Sequence, residues 1–214
     1  MISRIYVASK GPDIRGELYI KSWNELGLSR KINSVNLIDS YLIQSNLTGK
    51  DLIKIGEALT NPILEIFSID GIPAGKFQYA IEVGFLPGVT DNVGNTAKET
   101  AVDLLHIKNS DISIYTSKIF LIESNNKITP SDIKKISSTL YNPLIERSYT
   151  AEISAGILNL PNKIPEVVLK KKTAVLPVPL EVSDDELVKI GKEGIMDGSG
   201  KRRGPLALDL SAMQ

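Results

Sequence analysis

Residues 51–65 read DLIKIGEALTNPILE, and residues 132–146 read DIKKISSTLYNPLIE. At a constant offset of 81, seven of the fifteen positions are identical, whereas average amino-acid usage gives about one identity by chance. The identical pairs are Asp51/Asp132, Lys54/Lys135, Ile55/Ile136, Leu59/Leu140, Asn61/Asn142, Pro62/Pro143 and Glu65/Glu146. The sequence therefore predicts a tandem duplication, and the fold has to be interpreted as a repeat.

The match extends toward the N-terminus when small gaps are allowed. Residues 41–43 match 120–122 at an offset of 79, Asp13 and Gly16 match Asp91 and Gly94 at 78, and residues 5–7 match 81–83 at 76. Because the order of these blocks is kept, we expect two copies, residues 1–75 (the first copy) and residues 76–152 (the second copy). Residues 153–214 are predicted to be an extended linker followed by the start of a further helical region.

Each copy predicts the same order of elements, β-α-β(β)-α-β, from its apolar periodicity. In the first copy these are an opening strand (4–8), a helix with Tyr19, Trp23 and Leu26 on one face, a β-rich stretch (34–44), a second helix that starts at Thr48, and a closing strand (63–69). In the second copy they are an opening strand (79–85), a helix with Ala97, Ala101 and Leu104 on one face, a β-rich stretch (111–123), a second helix that starts at Thr129, and a closing strand (144–151). Each β-rich stretch is long enough for a bent strand or a hairpin.

Several helix starts carry a capping signal. Thr48 and Thr129 are each followed by an Asp three residues later, which favours the amides at a helix N-terminus. Pro130 then occupies a first helical position, where its missing N–H costs nothing. Thr96 with Glu99 predicts a capping box at the start of the first helix of the second copy.

The residues alone indicate an α+β fold. A unit with this element order has two helices on one face of its sheet and leaves the other face bare. A unit of this size would then expose a large apolar area. We therefore expect the two copies to pair through their sheets into one pseudo-symmetric body.

The last third of the chain has a different character. Prolines at positions 161, 165, 177 and 179 interrupt residues 153–180, which predicts an extended linker packed on another part of the chain. Ser183 with Glu186 predicts a capping box that opens a short helix ending near Lys192. Residues 206–214 resemble the start of another helix, so we expect the chain to be a fragment or the first piece of something longer.

Composition excludes several function classes. Lys+Arg and Asp+Glu number 25 each, and this balance argues against a general attraction to nucleic acid or to anionic membranes. The chain has no cysteine and one histidine, which excludes disulfides, thiolate sites, cysteine nucleophiles and multi-histidine metal sites. It contains no signal-peptide core and no window of ~20 apolar residues, so we expect a cytoplasmic protein.

The most distinctive loop is PGVTDNVG at residues 87–94, between a predicted strand and a predicted helix. Such a turn can hold an anion on the helix amides. The alternative is that Gly88 and Gly94 shape the turn while Asp91 or Thr90 caps the helix.

Other candidates are weaker. Residues 198–204 (GSGKRRG) lack the first glycine and the Ser/Thr of a phosphate-binding loop, and they predict a solvated basic turn or a contact with a phosphate or an acidic partner. His106 is the only histidine and has no cysteine to act with in catalysis. Residues 170–172, three lysines, are predicted to be solvated surface. Trp23 occupies the place of Ala101 and is predicted to be core. We expect no catalytic residue, no bound cofactor and no metal in this chain.

The second copy resembles the PurS family, the small subunit of phosphoribosylformylglycinamidine (FGAM) synthase. The resemblance lies in IEVGFLPGVTDNVGNTAKET at residues 81–100, above all in its Pro-Gly-Val-x-Asp. Residues 115–120, 140–147 and 185–195 fit the fused form, in which two PurS-like units precede the catalytic PurL region. The likeness covers residues 1–150 well and 180–214 loosely. The first copy departs from it, since residues 10–13 lack the full motif.

The resemblance implies tandem ferredoxin-like units with an auxiliary role. FGAM synthase uses ATP, glutamine and formylglycinamide ribonucleotide; a PurQ-type glutaminase releases ammonia, and the PurL synthetase consumes it. PurS-like units hold those two parts together, and the ATP, Mg and glutamine sites lie in the partners. The loop expected to contact a partner comprises Pro87, Gly88, Thr90, Asp91 and Asn92.

A rival interpretation is a small-molecule sensor. Paired ferredoxin-like units that resemble ACT domains bind amino acids at their interface. That function requires a ligand-selective groove between the two copies.

Overall fold

The computed structural model describes residues 1–11, 13–23, 27–28, 31–124, 128–153, 156–166, 181–196, 200–202, 204, 206 and 208–213. The elements are β1 (Ile2–Ser9), α1 (Arg15–Ser22), β2 (Ile32–Ser45), α2 (Gly49–Leu59), β3 (Glu65–Ile69), β4 (Ile72–Pro73), β5 (Tyr79–Phe85), α3 (Asn92–Leu105), β6 (Ile112–Ser124), α4 (Pro130–Leu140), β7 (Glu146–Glu152), β8 (Ile157–Leu158), α5 (Asp184–Glu193) and α6 (Leu210–Met213).

The fold is α+β, with an antiparallel six-stranded sheet in the order β3-β1-β2-β6-β5-β7. The β-rich stretch of each copy is one long strand rather than a hairpin. These two strands, β2 and β6, pair along their length, with Asp39 opposite Lys118 near the middle. The copies are thus joined edge to edge by backbone hydrogen bonds.

The strand register reproduces the offsets seen in the sequence. Ile5 of β1 lies opposite Tyr41 of β2. Their matched residues in the second copy, Ile81 and Phe120, lie opposite each other in β5 and β6. The two copies therefore have equivalent strand pairing as well as similar sequence.

Helices α1–α4 cover one face of the sheet, here called the helical face, and pair across the copies. Trp23, at the end of α1, packs with Ile133 and Ile136 of α4 over one half of the sheet. Leu52 and Ile55 of α2 belong with Ala97 and Ala101 of α3 to the cluster over the other half. The Trp23 indole also donates to the hydroxyl of Thr139 over 3.0 Å. Trp23 is core, as predicted.

The opposite face, here called the strap face, is covered differently from our expectation. The bare faces of the two copies do not bury each other, because β2 and β6 join the copies side by side. Instead, β4 pairs with β8, and Ile72, Leu158 and Leu160 pack on the sheet. Residues 157–164, which lie within the described part of the predicted linker and are here called the strap, provide Leu158, Leu160 and Ile164 as buried side chains.

The helix and strand boundaries include one wrong prediction and several shifts. The capping box at Thr96 is wrong: α3 begins at Asn92, and Asp91 is its N-cap. Strands β3 and β7 begin two residues later than predicted because the residues after each Asn-Pro form a turn. The N-caps at Thr48, Thr129 and Ser183 are confirmed, the first two as full capping boxes. Leu26 lies outside the described residues.

By its internal contacts the chain divides into two compact units, Met1–Val167 and Val168–Gln214. In the second unit Leu187 and Ile190 of α5 are buried, with Ile195 and Leu210 packed against them. The boundaries predicted at residues 75 and 152 remain predictions. None of the helices in the described ranges is both long enough and apolar enough to span a membrane.

Candidate functional site

The loop predicted to contact a partner follows β5 and leads into α3. Its turn is closed by the Val89 amide, which donates to the Leu86 carbonyl over 3.1 Å. Gly88 has φ of +87°, a left-handed conformation that favours glycine. Gly88, Thr90 and Asn92 are exposed, whereas Pro87 and Asp91 are half-buried.

Asp91 fixes this loop to the body of the protein. One carboxylate oxygen accepts from the Gly94 amide at 2.7 Å and so caps α3. The other oxygen accepts from the Thr116 amide on β6 at 2.6 Å. The start of α3 therefore already has its own carboxylate, and of the two interpretations of this loop the structure supports capping by Asp91.

The first copy repeats this arrangement at the matched residues. The carboxylate of Asp13 accepts from the Leu37 amide of β2 at 3.1 Å and is paired with Arg15 at 2.8 Å. Burial raises the pKa of Asp13, but the hydrogen bonds from Arg15 and Leu37 outweigh it and leave that pKa below its ordinary value. The repeated Asp therefore ties each strand-to-helix loop to the long strand of its own copy.

The repeated glycine has an equally physical cause. A Cβ on Gly16 would lie 1.8 Å from the Val35 carbonyl oxygen, and one on Gly94 would lie 2.8 Å from that of Ile114. No side chain fits at those distances, so the first helix of each copy can pack on its long strand only through glycine.

An exposed apolar segment lies beside the loop. The Leu86 amide donates to the Ile145 carbonyl over 2.9 Å, which joins the loop to the turn before β7. In this turn Leu144 is 83% exposed, and Val93 at the start of α3 is 58% exposed. We call the exposed residues Gly88, Thr90, Asn92, Val93 and Leu144 the loop surface.

A buried polar cluster on the strap face was not predicted from the sequence. Arg4 of β1 is 1% exposed and pairs with Glu82 of β5, 4% exposed, at 2.6 Å. The Arg4 guanidinium also donates to Ser40, and Ser117 donates to Glu82, so the cluster crosses four strands. The only signal in the sequence was that each predicted opening strand contains one charged residue, Arg4 in the first copy and Glu82 in the second.

The same cluster holds the strap in place. The Arg4 guanidinium donates to the Pro161 carbonyl at 3.0 Å and to the Asn162 side chain at 3.3 Å. The Leu160 amide donates to the Tyr6 hydroxyl at 3.1 Å. Burial raises the pKa of Tyr6. These hydrogen bonds satisfy polar groups that the strap would otherwise leave unpaired on the sheet.

The remaining sequence candidates have structural explanations or lie outside the described residues. His106 is exposed at the C-terminus of α3, with φ of +51°. In the 198–204 loop, Arg202 is paired with Glu186 at 2.8 Å and with Glu193 at 3.3 Å. Residues 198, 199 and 203 of that loop, and residues 170–172, are outside the described part of the chain.

The geometry does not assemble a reaction centre among the residues described. Within them, no cluster of three or more His, Asp or Glu side chains could hold a metal ion. Neither the protein-family models nor the curated proteins compared with this chain include a match to it.

Proposed function

We propose that this chain is the non-catalytic, PurS-like part of FGAM synthase, built from two tandem ferredoxin-like units. In this role it bridges a PurL-type synthetase and a PurQ-type glutaminase so that ammonia passes between them. ATP, Mg and glutamine are used by the partners, and the complex acts in purine biosynthesis in the cytoplasm. The chain thus belongs to a carbon–nitrogen ligase without supplying its catalytic residues.

One observation carries the proposal: the loop bearing Pro-Gly-Val-x-Asp is rigidly anchored yet presents exposed side chains. Asp91 ties it to β6 and α3, and Leu86 ties it to the turn before β7. A loop held in this way loses little conformational entropy when a partner binds. The exposed Leu144 and Val93 beside it provide apolar area for such a contact.

The shared sheet supports a scaffold role. Both copies contribute strands to one sheet, and each helix pair combines the two copies. Such a body holds its two strand-to-helix loops in a fixed relation. A bridging protein needs that property, because its partners must keep a constant separation.

Reconstitution tests this function. The PurL-type subunit and the glutaminase of the same organism are mixed with and without this chain, and FGAM formation is assayed with glutamine and then with ammonium. We expect the glutamine-dependent rate to need this chain and the ammonium-dependent rate to be independent of it. If the chain changes neither rate, the bridging function is wrong.

A matched pair of variants then locates the contact. Leu144→Asp alters the loop surface, and Ile63→Asp alters the equivalent residue of the first copy, which is 81% exposed. We expect Leu144→Asp to lower the glutamine-dependent rate at least about tenfold, since a buried unpaired charge at an interface costs more than 1.4 kcal/mol. Ile63→Asp should leave that rate unchanged, and equal effects of the two variants would exclude a contact specific to the second copy.

The sensor alternative is favoured by a groove across the β2–β6 junction on the helical face. It has a volume of about 340 Å³ and is lined by Tyr19, Asp39, Tyr41 and Lys118, among others. A carboxylate and an ammonium in one groove are complementary to the two charges of a free amino acid. Titration calorimetry with glutamine, glycine and purine nucleotides tests this alternative, and the absence of binding heat for all of them would exclude it.

A further inference from the structure

Arg147 is a cation on the strap face for which the described residues provide no partner. It lies on β7 opposite Gly84 of β5. Its Nε atom is buried and, among the described residues, is the one buried side-chain nitrogen or oxygen that lacks a hydrogen-bond partner. Arg147 also forms no ion pair with any residue in the described part of the chain. The equivalent position of the first copy holds Ile66, so the repeat does not require this charge.

A cavity lies against the Arg147 side chain. Its volume is about 60 Å³, enough for a few water molecules or one small polyatomic ion. One wall is the loop from Phe85 to Asp91, and the other includes Glu82 and Ser117. The cavity is therefore enclosed partly by the loop that the proposed function assigns to a partner contact.

The two carboxylates in this cavity have their own donors. The Glu82 carboxylate accepts from Arg4 at 2.6 Å and from Ser117 at 2.7 Å. The Asp91 carboxylate accepts from the amides of Gly94 and Thr116. Arg147 is thus the charged side chain in this cavity whose buried N–H the described residues leave without an acceptor.

We propose that this cavity binds a small oxyanion, a carboxylate or a phosphate group, on the guanidinium of Arg147. Guanidinium N–H groups form a planar fork that matches two oxygens of such a group, and these charge-assisted hydrogen bonds are among the stronger ones in proteins. Bound there, the oxyanion accepts from the buried Nε and neutralises the charge. The site goes beyond the proposed function, which requires no ligand in this chain.

A water molecule is the alternative occupant. Water satisfies the Nε donor but leaves the positive charge in place. The two occupants can be distinguished by titration. An oxyanion binds saturably, and its half-saturating concentration depends on Arg147, whereas water gives no saturable response.

Side-chain NMR of the full chain tests the site. The Arg147 Nε–H resonance is identified by its absence in Arg147→Gln, and the protein is titrated with inorganic phosphate, acetate or chloride at constant ionic strength. We expect the resonance to shift saturably, with half-saturation on the order of 1 mM, as befits so small a ligand. The paired Arg15 and Arg202 should not shift. A response to phosphate alone or to acetate alone assigns the site to that group, and a response to both assigns it to oxyanions generally.

Three variants complete the test, with the Gly88 amide as a second reporter. Arg147→Gln should raise the half-saturating concentration at least about tenfold, since a hydrogen bond to a charged group contributes at least that much. Arg147→Lys, which keeps the charge but loses the fork, should give an intermediate value. Lys135→Gln, which removes an exposed charge elsewhere in the second copy, should bind like the unmodified protein.

Several results would overturn the proposal. Chloride could shift the resonance as much as phosphate and acetate do, which would indicate screening rather than a site. No saturable shift with any oxyanion would assign the cavity to water. Unchanged binding to Arg147→Gln would place the ligand elsewhere. None of these results bears on reconstituted FGAM synthase activity, so failure here is distinguishable from failure of the proposed function.

Discussion

In the first copy the strap face of β1 carries Arg4 and Tyr6, whereas the matched positions of β5 carry Ala80 and Glu82. On the other side of the sheet the copies agree, with Ile5 and Val7 matched by Ile81 and Val83 in the two helical-face clusters. In the opening strands β1 and β5, one face of the sheet has thus kept the repeat, and the other has lost it.

This difference reflects what each face contacts. The helical face packs against α1–α4, which are repeated elements, so both copies meet the same geometry. The strap face packs against β4 of the first copy and against residues 157–164, which lie outside both copies. A segment without a repeat needs different partners from the two copies, and the ion pair Arg4–Glu82 joins the two sets.

The largest loss of stability is expected when the buried ion pair of the strap face is broken. Glu82→Ala leaves the Arg4 guanidinium buried without its carboxylate, and we expect the free energy of unfolding to fall by about 3–5 kcal/mol. Urea denaturation followed by circular dichroism measures this loss. Tyr6→Phe, at the matched position of the first copy, removes one hydrogen bond and should cost about 1 kcal/mol.

A double variant is the control for the buried ion pair. Arg4→Leu together with Glu82→Leu removes both charges and should recover most of the stability lost in Glu82→Ala, because apolar replacements of a buried pair are often neutral. A double variant as unstable as Glu82→Ala would show that the ion pair is not the cause.

The next effect tests the face on which the copies agree. Gly16→Ala and Gly94→Ala both place a methyl group against a backbone carbonyl, and overpacking of this kind costs about 1–3 kcal/mol or more. We expect Gly16→Ala to lower the free energy of unfolding more than Gly94→Ala, since its contact would be 1.8 Å rather than 2.8 Å. The same denaturation assay ranks them. Gly49→Ala, where a Cβ would meet nothing within 4 Å, is the control.

A smaller loss of stability tests whether the two capping boxes are energetically equivalent. Thr48→Ala and Thr129→Ala each remove a side chain that accepts from the amide three residues later. Each should lower the free energy of unfolding by about 1 kcal/mol, the usual cost of losing an N-cap. Losses that differ by more than about 1 kcal/mol would contradict the idea that the two caps are energetically equivalent.

The smallest effect concerns pH. A hydrogen bond from Lys31, together with those from Thr129, lowers the pKa of Asp132 from 3.8 to about 2. The pKa of its counterpart Asp51 is lowered mainly by Thr48. Because the pKa of Asp132 is depressed in the folded protein, its stabilising contribution is present above pH 3.8 and is lost as the pH falls toward 2.

Carboxyl NMR titration of Lys31→Gln checks this assignment. We expect the pKa of Asp132 to rise toward its ordinary value and the pKa of Asp51 to stay unchanged. An unchanged pKa of Asp132 would show that its own helix N-terminus, rather than Lys31, lowers it.

Several features were predictable because their causes are local. Thr48 and Thr129 cap helices through residues three positions away, and the alternation of apolar and polar residues indicates strands. The capping box at Thr96 was wrong because Asp91, a better acceptor five residues earlier, also reaches β6. A sequence pattern cannot distinguish two nearby caps when a distant strand decides between them.

The candidate site was predictable in part. Residues 87–91 form a loop where the sequence placed one, Gly88 and Thr90 are exposed in it, and Asp91 caps the helix. Arg147, which no described residue pairs, and its cavity could not be predicted from local pattern, since the lack of an acceptor depends on every neighbour in space.

The sequence by itself indicated the internal repeat, the order of the elements and the helix N-caps at Thr48 and Thr129, because side-chain periodicity and capping act over a few residues. Only the tertiary structure decided that β2 and β6 join edge to edge, that the helices pair across the copies, and that residues 157–164 cover the strap face. Those choices depend on which apolar surfaces and unpaired backbone groups meet after the chain has folded, and no local stretch of sequence contains that information.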